Sequence, residues 1–149
     1  MKMNTPELSA ITTLFRANAA LEERFSGELN NVHGLALKEM VLLMFLENSP
    51  MQRLSRVDLS RRMHSSASTV TRLALPLEKR GLVGRESDGR DARLSYVVLT
   101  KAGQDLVSEA RTSLQFFAAD VFSDRWSKNE IESIAGLLGR LTSGLPGKL

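Results

Sequence analysis

Residues 66–80 read SASTVTRLALPLEKR, and the reading of this stretch decides the fold. Val70, Leu73 and Leu77 recur at offsets of three and four, so they share one helical face that can anchor to a core. Ser68, Thr71, Arg72 and Leu75 fall on the opposite face. That face carries short hydroxyls and one Arg where a solvated helix usually carries charged pairs. A helix that enters a DNA major groove needs short side chains for close approach and an Arg for guanine or phosphate. A plain surface helix is the competing reading of the same residues.

The neighbourhood of this helix is basic. Residues 53–93 hold ten Lys/Arg and five Asp/Glu, a balance of +5, while the rest of the 149-residue chain holds ten and twelve, a balance of −2. Attraction to phosphates requires such an excess near the reading surface, and chance clustering on a solvated surface gives it too.

Upstream, Arg53–Leu54 suits a short strand, Ser55 an N-cap with Asp58 in a capping-box position, and Val57–His64 a short helix with Leu59 and Met63 inward. A polar turn, Ser65–Ser66, then opens the quoted helix, and the pair makes a helix-turn-helix. Pro76 removes the bond to the carbonyl of Arg72, so a kink or local opening is expected there, with Gly81 as the stop. Leu82–Glu86 and Arg93–Leu99 follow as strands, the second with Leu94, Tyr96 and Val98 alternating with Ser95 and Val97. Between them the turn-rich tip Ser87–Ala92 makes the hairpin a wing. Its Arg90 suits a narrow, A·T-rich minor groove, and Asp91 suits pairing with Arg90 or Arg93 to stiffen the loop.

Further out, Pro6 to about Gly27 is expected to be helical, with a loop from Gly27 through Asn30–Asn31 to Gly34. Leu37–Glu47 has apolar residues all round its middle, as a central helix buried on most sides would. Thr100 caps a helix to about Phe122 with the stripe Ala102, Leu106, Ala110, Leu114, Phe117 and Val121. Ser127-Lys128-Asn129-Glu130 is a capping box for a last helix to about Ser143, where Ile131, Ile134, Leu138, Leu141 and Leu145 space like a coiled-coil seam. Long apolar helices at both ends exceed what a small winged domain needs, which suggests pairing with a second copy; an intramolecular bundle is the other reading. The fold class expected is mainly α with a small β-wing.

Composition narrows the function. The absence of Cys excludes disulfides, thiolate nucleophiles and Cys-based zinc or oxidant sensing, and fits a cytoplasmic protein. MKMNTPELS lacks the apolar run of a signal peptide, and no stretch approaches the roughly 18 apolar residues of a membrane span. His33 and His64 stand apart, so no metal is expected. No paired carboxylates, Ser-His-Asp set or phosphate loop points to catalysis, and no cofactor is implied.

Met63–Val83, MHSSASTVTRLALPLEKRGLV, resembles the helix-turn-helix of the multiple-antibiotic-resistance-regulator (MarR) family. Ser87–Gly103, SDGRDARLSYVVLTKAG, resembles that family's wing, with Asp91-x-Arg93 at its signature position and Leu-Thr-x-x-Gly opening the next helix. The resemblance implies one MarR-like chain over 1–149: a DNA-binding lobe over 35–99, flanked by dimerisation helices in 1–30 and 100–149. It implies a homodimeric transcription factor, usually a repressor, on a pseudo-palindromic operator in double-stranded DNA. By position, Ser66, Ser68, Thr69, Thr71 and Arg72 would face the major groove or its phosphates. Arg90 would be the minor-groove finger, and Arg93 and Asp91 would hold the wing and approach the backbone. Leu8, Ile11, Leu114, Phe117, Val121, Ile131, Ile134, Leu138 and Leu141 would make the dimer interface. Many relatives bind small aromatic or phenolic anions, for which Phe15, His33, Met40 and Met44 are candidate lining residues; core packing is the rival role for them. Departures are Pro76, where many members are polar or basic, and Ala67, where Lys or Arg is frequent. A winged-helix module for protein–protein contacts, without ligand control, is the alternative function.

Overall fold

The computed structural model describes residues 5–91 and 93–143. The chain divides into two compact units, residues 1–37 and 38–149, each taken by itself.

The first unit is built on α1, Pro6–His33. Thr5 caps it by accepting the Leu8 N–H, with Pro6 in the first turn, where its missing N–H costs nothing. The expected stop at Gly27 and the loop through Asn30–Asn31 are both corrected: the helix runs on to His33 and ends at Gly34, φ +64°. A glycine inside a helix costs only about 1 kcal/mol, too little to end one whose Leu29, two residues on, is fully buried.

The second unit begins within α2, Leu37–Glu47, which buries Met40, Leu42, Leu43, Phe45 and Leu46, as its apolar middle would. Ser49 donates to the carbonyls of Leu46 (2.8 Å) and Arg53 (3.0 Å), stapling the exit of α2 to the next strand. A 3-10 turn, Pro50–Gln52, leads into β1, Arg53–Ser55. Then come α3 (Arg56–Arg62), α4 (Ala67–Lys79), β2 (Val83–Ser87), β3 (Ser95–Leu99), α5 (Lys101–Phe122) and α6 (Lys128–Leu141). The sheet is antiparallel, in the order β1-β3-β2, with Leu54 opposite Val97 and Arg85 opposite Val97 on the other side.

Both wing strands start later than their patterns suggest. The Leu82 N–H is bonded to the carbonyl of Leu77, and the Arg93 and Leu94 N–H groups to Asp91, so none is available to the ladder. The inward residues of β3 are Val97 and Leu99, while Tyr96 and Val98 are half-buried on the other face and Leu94 is exposed.

Thr100 and Ser127 cap α5 and α6 as expected, Ser127 in a complete capping box with Glu130. The α5 stripe is shifted by one residue in its first half: Gly103, Val107 and Ala110 are buried, Leu106 is half-buried and Ala102 exposed. The cause is a close approach, since a Cβ on Gly103 would lie 2.1 Å from the carbonyl oxygen of Leu82. No described residue of α6 is buried; the last seam position, Leu145, lies outside the described residues, as does Ala92 of the wing tip.

Candidate nucleic-acid interface

The helix-turn-helix begins at Ser55, whose hydroxyl accepts the Asp58 N–H and donates to its carboxylate. Leu59 is fully buried and Met63 half-buried. The helix expected over Val57–His64 is Arg56–Arg62 because His64 turns left-handed, φ +48°. That residue reverses the chain, aided by the Ser65 N–H bond to the Ser60 carbonyl at 3.0 Å.

Ser66 caps α4 by accepting the Thr69 N–H. Val70, Ala74 and Leu77 are buried and Leu73 half-buried, so one face is anchored in the core as the spacing predicts. The helix continues through Pro76 to Lys79. It stops where Gly81, φ +70°, bonds to the Glu78 carbonyl and Leu82 to that of Leu77, the paired closure of a Schellman motif.

The opposite face of α4 is open. Ser66, Ser68, Arg72 and Leu75 are exposed, Thr69 and Thr71 half-buried. The Ser66 hydroxyl lies 2.9 Å from that of Ser68 and 3.0 Å from that of Thr69, clustering three hydroxyls where the helix dipole is positive. Thr71 donates to the Ala67 carbonyl (3.1 Å) and accepts from Arg56 Nη1 (3.1 Å). Arg56 was not among the residues singled out from the sequence. Its one signal there is a cation in the first turn of a helix, where the dipole opposes it.

In the wing, Asp88 Oδ1 accepts the Arg90 N–H and Asp91 Oδ1 the Arg93 N–H, each at 2.9 Å. Asp91 therefore stiffens the loop through backbone bonds rather than a guanidinium, and Arg90 and Arg93 carry exposed side chains. Behind the tip, Arg53 pairs with Glu86 (2.9 Å) and stacks 4.5 Å from the Tyr96 ring centroid, tying three strands together. Arg85 pairs with Glu78 at 2.9 Å, fastening β2 to the end of α4. These two arginines belong to the local positive excess, but carboxylates offset them. Arg72, Arg90 and Arg93 hold theirs on exposed side chains.

Of the residues expected at a dimer interface, Leu8, Ile11, Leu138 and Leu141 are exposed; Leu114, Phe117, Val121, Ile131 and Ile134 are half-buried. Of the candidate ligand-lining residues, Phe15 is exposed, His33 and Met44 half-buried and Met40 fully buried. Among the described residues no group of three or more His, Asp or Glu could hold a metal ion, and no single helix is long and apolar enough to cross a membrane.

Residues 35–95 match the model of the MarR family, a span running from two residues before α2 to the first residue of β3. No curated protein matches the sequence. The chain is similar to the crystal structure of the transcriptional regulator BldR from Sulfolobus solfataricus, at 25% identity and a TM-score of 0.82, over 95% of this chain and 99% of that one. It has the fold of Sco3205, a MarR family regulator from Streptomyces coelicolor solved in complex with DNA (23% identity, TM-score 0.82, 96% and 97% covered). Bordetella bronchiseptica BpsR, whose DNA binding is regulated by 6-hydroxynicotinic acid, also shares the fold (23% identity, TM-score 0.79, 91% and 99% covered). The helix-turn-helix and the start of the wing lie within the span that matches the MarR family model, and the chain as a whole shares its fold with a solved MarR family regulator.

Proposed function

We propose that the protein is a homodimeric regulator that reads a pseudo-palindromic operator and represses until a small aromatic or phenolic anion releases it. The observation that carries the reading is the α4 face: Ser66, Ser68 and Arg72 stand exposed on a helix whose other side is fixed in the core. These residues, with Thr69 and Thr71, read or grip the major groove. Arg90 enters the flanking minor groove, and Arg93 meets the backbone beside the loop that Asp91 stiffens. Repeating this head one helical turn away, about 34 Å, requires a second copy. Exposed Leu8 and Ile11 on α1, and Leu138 and Leu141 on α6, supply apolar surface for it. Control by an aromatic acid draws support from BpsR, which answers to 6-hydroxynicotinic acid; binding would favour a spacing of the two heads that no longer fits the operator.

A salt titration of the full-length protein on a duplex selected from random sequence tests the reading. Log affinity should fall against log salt with a slope near −0.9 per phosphate neutralised, for several phosphates. A flat response, or no preferred sequence, would instead indicate a winged-helix module for protein contacts. Sedimentation should give twice the 16.5 kDa chain mass, and a panel of hydroxylated aromatic acids should weaken operator binding.

A further inference from the structure

We propose that Thr71 reads a thymine methyl group and that Arg56 is the positioning residue that makes it do so, an inference that rests on the DNA-reading role proposed above. A threonine hydroxyl has one proton and two lone pairs. The Thr71 proton goes to the Ala67 carbonyl at 3.1 Å, and a lone pair takes Arg56 Nη1 at 3.1 Å. In a helix threonine divides between two χ1 wells because its oxygen can bond the preceding turn. Arg56, reaching across from α3, holds the oxygen in one of them. With its proton and one lone pair engaged within the protein, Thr71 has no hydrogen-bond donor left to offer, and its γ-methyl becomes the group available for an apolar contact. Its neighbours on the same helical face, Ser68 and Arg72, are exposed. A threonine methyl against the thymine C5-methyl is one of the short apolar contacts the major groove admits.

Arg56 also sits in the first turn of α3, where the helix dipole disfavours a cation. The charge-assisted bond to Thr71 compensates that placement. The side chain therefore acts through Thr71, fixing which of its two γ-groups is presented.

The test uses the full-length protein, a duplex enriched from a random pool, and a set of duplexes with each thymine singly replaced by deoxyuridine. One thymine in each half-site should lose about fourfold in affinity when its methyl is removed, the worth of one buried methyl group. Thr71→Ser keeps the hydroxyl bonds and lacks the methyl, so it should bind the two duplexes equally. Arg56→Ala lets Thr71 rotate and should shrink the difference to about twofold or less. An enriched duplex whose thymines are all indifferent to their methyl groups overturns the Thr71 assignment. An Arg56→Ala protein that weakens equally on thymine and deoxyuridine duplexes shows a phosphate contact and overturns the positioning role. A pool that enriches no sequence overturns the DNA-reading proposal itself.

Discussion

Replacing Gly103 with Ala is expected to destabilise the protein although the residue lies in the first turn of a helix, where Ala is normally the better choice by about 1 kcal/mol. The new Cβ would stand 2.1 Å from the Leu82 carbonyl oxygen and 2.7 Å from Leu99 Cδ1, well inside the 3.4–4 Å of ordinary contact. Leu99 Cδ1 is a flexible end that can move, whereas the Leu82 carbonyl cannot move cheaply. It accepts the Thr100 N–H at 3.1 Å, and the neighbouring Gly81 carbonyl accepts the Thr100 hydroxyl at 2.6 Å. Relieving the clash must pull the start of α5 away from the turn that ends α4. Overpacking of this kind costs about 1–3 kcal/mol, and a strained or lost hydrogen bond adds about 1 kcal/mol. After the helix-propensity gain, a net loss of about 2 kcal/mol remains, or roughly 4–8 °C in Tm for a chain of this size. Urea unfolding at matched protein concentration measures it, with m unchanged if the folded state stays compact. A variant as stable as the parent, or more so, would refute the close approach and with it the explanation of the shifted α5 stripe.

Arg72→Ala should cost about 1–3 kcal/mol of discrimination between the selected duplex and random DNA if Arg72 reads a base edge; an equal loss on both would reduce it to a phosphate contact. Arg90→Ala should weaken binding chiefly where the flanks are A·T-rich, since a narrow minor groove concentrates negative potential; gel-shift titrations on duplexes differing only in flank composition decide it. The Ser127 backbone N–H, and then its hydroxyl, hold the Glu130 carboxyl below its ordinary value. A depressed carboxyl stabilises the fold above its unfolded pKa, so the first turn of α6 should loosen as pH falls from about 4.3 downward. Amide exchange in residues 128–131 should rise over that window in the parent protein, and should lack the pH step in Glu130→Gln.

Elements governed by residues within about five positions were legible from the chain. The span of α2 followed from its apolar run, and the caps at Ser55, Thr100 and Ser127 followed from hydroxyls beside N–H groups with no partner in the first turn. The stop at Gly81 followed because only glycine takes φ +70° without strain. The exposed, largely polar face of α4 came with its apolar face, since one periodicity sets both.

What was missed depends on residues far apart or on choices that propensity leaves open. Gly27 did not end α1, because burial of Leu29 outweighs a penalty of about 1 kcal/mol. His64 took the left-handed turn, which residues other than glycine adopt only in a few per cent of cases even though His is among the more tolerant types. Arg56 meets Thr71 across 15 positions, and Gly103 meets Leu82 across the wing. Neither pairing leaves a local pattern.

The sequence by itself determined the order of the main elements, several of their capped starts and the small, polar character of the α4 face, because these rest on hydrogen bonds and periodicities closed within a turn or two. Only the tertiary structure decided which atoms that face has left to offer. The Thr71 hydroxyl is engaged by an arginine from another helix, and two basic residues near the wing are offset by carboxylates on neighbouring elements. Such pairings depend on distances between side chains that chain order does not encode directly, and they exist only once the core has brought the elements together.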